Sequence, residues 1–108
     1  MKEMIRLSLI RAVEEAERVF EMSMAFDSTA DPGQRLILAF GSLKYSTLAS
    51  ERFKAALLAT EFHKIPPEDS VHTMLSEAAV FVEKAFAESE YMTKTLFDEV
   101  ENKSKNTN

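Results

Sequence analysis

The chain of 108 residues has no cysteine, only two glycines and only three prolines. The absence of cysteine excludes disulfides, thiolate zinc sites, iron–sulfur ligation and a cysteine nucleophile. It also fits a reducing compartment, and we expect a cytoplasmic protein. A chain with so few turn-forming residues cannot reverse direction often, which favours a small number of long elements.

Long apolar runs are missing as well. No stretch approaches the roughly 18 apolar residues that a membrane-spanning helix needs. The N-terminal segment, MKEMIRLSLIRAVEE, has a short apolar centre, returns quickly to charged residues and contains no small-residue cleavage site. We therefore expect neither a secretory signal nor a membrane partner.

Charge is unevenly distributed along the chain, whose net charge is −5. Residues 1–27 carry four basic and six acidic groups, residues 31–64 five and three, and residues 67–102 two and nine. Only the middle segment is basic, and weakly so, whereas nucleic-acid binding usually requires a basic face, so we expect no nucleic acid partner. The acidic third segment is interpreted as a solvated helix face, with docking of a basic partner as the functional alternative.

Three segments show the three-and-four spacing of apolar residues that is typical of helices. They cover about residues 2–26, 31–63 and 71–102, separated by DSTADPG and HKIPPEDS. Asp31 followed by Pro32 is a helix-start pattern. No alternating pattern typical of strands competes with these helices.

The predicted fold class is therefore all-α: an antiparallel bundle of three long helices. It forms a single domain over residues 1–102, followed by a disordered polar tail over residues 103–108. If Gly41 breaks the middle helix, the bundle has four helices.

Small and hydroxyl side chains are concentrated in GSLKYSTLAS, residues 41–50. On a helix, Ser42, Ser46 and Ser50 form one column. A serine nucleophile needs a base within hydrogen-bond reach, but neither histidine falls on the same turn, and the G-x-S-x-G and S-x-x-K patterns are absent. We interpret the column as a seam where helices pack closely, and we predict no catalytic residue.

The two histidines lie around the double-proline turn. His63, His72 and Glu68 are the candidate metal ligands, with Glu68 and His72 spaced four residues apart. The Glu-x-x-His motif of di-metal helical bundles does not occur. We therefore predict no metal site and no cofactor.

Apolar residues outside the main helical stripes suggest a binding surface. The predicted partner-binding residues are Leu7, Met22, Met24, Met92, Leu96, Phe97 and Val100. The favoured hypothesis is a non-catalytic protein–protein interaction module, such as an adaptor, small chaperone, inhibitor or accessory subunit, that pairs with itself as a homodimer or binds another protein. The alternative is a bundle that encloses a small apolar or metal ligand, with or without enzymatic activity. Its cavity would be lined by Phe40, Phe53, Phe81 or Phe86, with Tyr45 or His72 turned inward.

Overall fold

The computed structural model describes residues 1–106, and the side chains of residues 1–104. It consists of three helices: α1 (Lys2–Ser28), α2 (Pro32–Phe62) and α3 (Ser70–Asn106). Each helix packs against the other two in a bundle of 62 × 20 × 16 Å. The predicted all-α bundle is confirmed. None of its helices, within the described residues, has the length and apolar character required to span a membrane.

The polar residues in the two connections define where the helices begin. The Asp31 side chain accepts a hydrogen bond from the backbone N–H of Gln34 at 3.0 Å, and Pro32 occupies the first position of α2. Asp69 accepts a hydrogen bond from the backbone N–H of Val71 at 2.9 Å and pairs with Lys2 Nζ at 2.7 Å. The second connection thus caps α3 and ties it to the start of α1.

Helix direction follows from pairs that join distant parts of the chain. Arg52, in the second half of α2, pairs with Glu15 of α1 at 3.8 Å, and Arg35 at the start of α2 pairs with Glu99 of α3 at 2.7 Å. Consequently α2 runs antiparallel to both α1 and α3.

Two of the predicted boundaries differ from the structure. α2 continues through Gly41 without interruption, so the four-helix alternative is wrong. The Met22 side chain packs over this glycine, where a Cβ atom would lie 3.3 Å from Met22 Cε. α3 continues to Asn106, past the predicted end at Asn102, because nothing in this stretch interrupts a helix. Residues 107 and 108 of the predicted disordered tail lie outside the described residues.

The interior is built mainly from small side chains. Among residues 1–104, seven of the fifteen buried apolar residues are alanines, and four serines and one threonine are buried with them. Seventeen large apolar or aromatic side chains of the same range are exposed. Small residues let helix backbones approach closely, and the larger side chains then project from the outer faces.

Candidate functional site

The predicted partner-binding residues do not form one surface. Met92 is fully buried in the core, so its assignment to a binding surface is wrong. Met22 is half-buried against Gly41. The exposed members, Leu7 and Met24 on α1, lie apart from those on α3, which are described next.

Phe97 and Val100 of α3 belong to a face that they share with α2. We define the α2/α3 apolar face by six exposed side chains: Leu36, Phe40 and Leu43 on α2, and Phe86, Phe97 and Val100 on α3. A cavity of about 130 Å³ lies between the two helices here, and Thr93 is the one polar residue that lines it. Half-buried Leu96 contributes to its floor.

Charged residues occur at the borders of this face. The neighbouring groove of about 490 Å³ is lined by Leu43, Phe86 and Phe97 together with Glu90 and Lys94. At the end nearer the first connection, the face is closed by the ion pair between Arg35 and Glu99. An apolar centre with a charged border is the arrangement found in protein–protein contacts.

Sequence reasoning missed the α2 half of the face. Leu36, Phe40 and Leu43 have helical spacing, which indicates a helix but not which side of it is buried. Ala39, Ser42 and Ser46 occupy the buried positions instead. The available signal was that α2 is apolar on several sides, since Ile37 and Leu58 also project from it.

The serine column lies where helices pack closely, as predicted. Ser42 and Ser46 are buried, and Ser50 is half-buried. The Ser46 and Ser89 hydroxyl oxygens lie 2.7 Å apart, and the Ser42 hydroxyl donates to the Ala39 carbonyl at 2.6 Å. The first bond joins α2 to α3, and the second satisfies a buried hydroxyl within α2.

The histidines have local partners at the second connection. His72 Nε2 lies 3.1 Å from the Ile65 carbonyl oxygen, which links the start of α3 to the turn. The His63 ring meets the Phe62 ring edge-on at 5.1 Å. In the part of the chain that the structure describes, no three histidine, aspartate or glutamate side chains, Glu68 included, cluster closely enough to hold a metal ion.

The four phenylalanines considered for an enclosed cavity do not come together. Phe40 and Phe86 are exposed on the α2/α3 apolar face, and Phe53 packs on the core. The ring centroids of Phe81 and Phe20 of α1 lie 6.1 Å apart. Tyr45 does not turn into a cavity either, because its hydroxyl accepts a hydrogen bond from Arg18 at 3.4 Å. Phe40, Phe81 and Phe86 line three different surface cavities, and the enclosed-ligand alternative stays a prediction.

A second surface lies between α1 and α3. Its floor is formed by half-buried and exposed apolar side chains: Ile10, Val13, Phe20 and Met24 of α1, and Met74 and Phe81 of α3. Its rim is acidic, with Glu14, Glu17 and Asp27 on α1, and Glu77 and Glu88 on α3. We call this surface the α1/α3 groove. Of the side chains that the structure describes, Lys84 is the one basic residue that lines it.

Two hydrogen bonds join the walls of the α1/α3 groove at one end. Ser23 donates to Glu88 at 2.5 Å, and Tyr91 donates to Asp27 at 2.7 Å. The hydrogen bond to Asp27, together with desolvation, raises the pKa of the Tyr91 hydroxyl above its ordinary value. The Tyr91 hydroxyl therefore stays protonated and continues to donate well into the alkaline range.

The fold defines the class of this protein as an all-α three-helix bundle. No protein-family model, curated protein or solved structure matches the chain. The evidence for a function therefore comes from the two surfaces described above.

Proposed function

We propose that the protein is a non-catalytic interaction module that pairs with a second copy of itself through the α2/α3 apolar face. The supporting observation is the exposure of large side chains on this face: Phe40 is 62% exposed and Phe97 67%. Fully burying a side chain of this size contributes about 1.5–3 kcal/mol. Several of them on one face are typical of a protein–protein contact.

Charge favours a second copy as the occupant of this face. α2 carries four basic and two acidic residues, whereas α3 carries four basic and seven acidic ones. A two-fold axis parallel to the helices lays α2 of each copy over α3 of the other, so that a basic helix meets an acidic one. An axis across the helices would lay α3 on α3 and bring like charges together.

The same axis also matches the apolar side chains. Phe40 and Phe97 lie at the same height along the bundle, because they line one cavity. Rotation about an axis parallel to the helices keeps that height, so Phe40 of each copy meets Phe97 of the other. Buried aromatic pairs contribute stability beyond the area that they cover.

Size-exclusion chromatography with light scattering, over a range of protein concentrations, tests the pairing. We expect a dimer for the unaltered chain, and at least about a hundredfold weaker association for Phe40→Asp or Phe97→Asp, because each places an unpaired carboxylate in the contact. Circular dichroism checks that the helices remain.

Leu58→Asp and Phe62→Asp are matched controls. Both side chains are as exposed as those of the face, at 65% and 81%, but they lie near the other end of α2. They are expected to leave the dimer intact. A monomer at every concentration would contradict the proposal. So would a loss of association for Leu58→Asp as large as that for Phe40→Asp or Phe97→Asp.

A paired bundle without catalytic residues suits the role of an adaptor, small chaperone, inhibitor or accessory subunit. The lack of cysteine supports a cytoplasmic location as part of the same proposal. Microscopy of a fluorescent fusion tests the location.

A further inference from the structure

The α1/α3 groove has the dimensions of a helix-binding site. It extends from Ile10 to Met24 along α1, which corresponds to about 21 Å of helix, or four turns. Two cavities, of about 400 and 560 Å³, lie on either side of the contact between the Phe20 and Phe81 rings. Ile10 is 47% exposed and Met24 71%, so apolar surface is accessible at both ends.

The rim of the groove determines the charge of its occupant. Glu14, Glu17 and Glu77 line the first cavity, and none of the described residues that line it is basic. The close ion pairs found among the described residues involve Asp69, Glu99 and Glu15 rather than these three carboxylates. A partner that covers the apolar floor must bring cationic side chains to the rim, because approach of further negative charge is unfavourable.

We infer that the α1/α3 groove binds a basic amphipathic helix of another protein. Apolar side chains at i, i+3 or i+4, and i+7 would occupy the floor, and flanking lysines or arginines would pair with the rim. Neither α1 nor α3 of a second copy fits, since both of these helices are acidic. An anionic lipid surface would be repelled by the rim.

Binding is tested with a fluorescein-labelled synthetic peptide of about 18 residues, five helical turns, with leucine at the i, i+3, i+4, i+7 positions and lysine elsewhere. The comparison peptide carries glutamate in place of lysine. Fluorescence anisotropy should show saturable binding of the lysine peptide that weakens as salt is added. The glutamate peptide should not bind.

Matched variants distinguish the groove from general charge attraction. The triple variant Glu14→Gln, Glu17→Gln, Glu77→Gln is expected to weaken binding about tenfold, because each rim pair contributes a modest amount. The control Glu51→Gln, Glu61→Gln, Glu101→Gln removes the same charge from exposed positions outside the groove. It should change affinity less than about twofold, since distant charges are screened.

The apolar floor is tested without changing charge. Met24→Ser removes an exposed side chain from the groove, and Leu58→Ser removes an equally exposed one from α2. Only Met24→Ser should weaken peptide binding. The inference would be overturned if the lysine peptide did not bind. It would also be overturned if the two triple variants, or the two serine variants, lost equal affinity for that peptide.

The outcome is independent of self-association through the α2/α3 apolar face. Light scattering on the same samples separates the two. A monomer that binds the lysine peptide contradicts only the proposed self-pairing. A dimer that does not bind the peptide contradicts only the inference about the α1/α3 groove.

Discussion

The interior contact between α2 and α3 and the outer face beside it are built from opposite kinds of side chain. Ser42 and Ser46 are buried where the helices touch, whereas Phe40 and Leu43, next to Ser42 in sequence, are exposed. A helix whose small residues face its neighbours packs closely, but it leaves its large apolar residues without cover. On α2, burial follows side-chain size more than hydrophobicity, since its buried residues are alanines, serines and a threonine, and the uncovered face suits the proposed self-pairing.

The two outer surfaces differ from each other in charge. The centre of the α2/α3 apolar face is almost entirely apolar, which suits a self-complementary contact. The α1/α3 groove has an apolar floor and an acidic rim, which suits a partner of opposite charge. Substitutions at buried positions between the helices should change the free energy of unfolding. Substitutions on the exposed face should leave it nearly unchanged in the monomer.

The largest expected effect comes from the core. Met92→Ala removes a fully buried side chain from the contact among all three helices, and we expect a loss of about 2–5 kcal/mol in the free energy of unfolding. Val100→Ala, two turns further along α3 and 65% exposed, should cost less than about 0.5 kcal/mol in the monomer. Urea denaturation at low concentration measures both. Similar losses of unfolding free energy for Met92→Ala and Val100→Ala would contradict the difference in burial between the core and the exposed face.

A smaller loss is expected when the small-residue contact is overfilled. Ser46→Leu adds volume between α2 and α3 and removes the hydrogen bond to Ser89, so the expected cost is about 1–3 kcal/mol or more. Leu43→Ser makes the reverse exchange on the exposed side and should leave the monomer's unfolding free energy nearly unchanged. A stabilising Ser46→Leu would contradict the assignment of this position to a close helix contact.

The smallest expected effect on the free energy of unfolding comes from Asp69, a polar residue at the end of the bundle. The Lys2 ion pair and the hydrogen bond from Val71 N–H lower the pKa of the Asp69 carboxyl below its ordinary value. The ionised form is therefore the stabilising one. Its contribution is complete above the pKa of the unfolded chain and is lost as the pH falls through the lower pKa of the folded state. Asp69→Ala should destabilise slightly at neutral pH and flatten the acid limb of thermal unfolding, and an unchanged acid limb would contradict this role of Asp69.

The residues that could be assigned from sequence share a local cause. The Asp31–Pro32 start of α2 and the Asp69 cap of α3 depend on interactions within a few positions, and the first of them occurs as expected. Met92 and Phe40 could not be assigned, because both fit a helical apolar spacing. Which of the two is buried depends on how each helix is rotated relative to its neighbours, and that rotation is a property of the whole bundle.

The sequence by itself determined that the chain is all-α, the approximate bounds of its helical segments and the close contact at the serine column, because helical spacing, capping and residue size act locally. Only the tertiary structure decided which apolar residues remain exposed, how the carboxylates of α1 and α3 come to border one groove, and that α2 passes straight through Gly41. These features depend on side chains distant in sequence, such as Met22 over Gly41, whose contacts exist only once three helices share an interior.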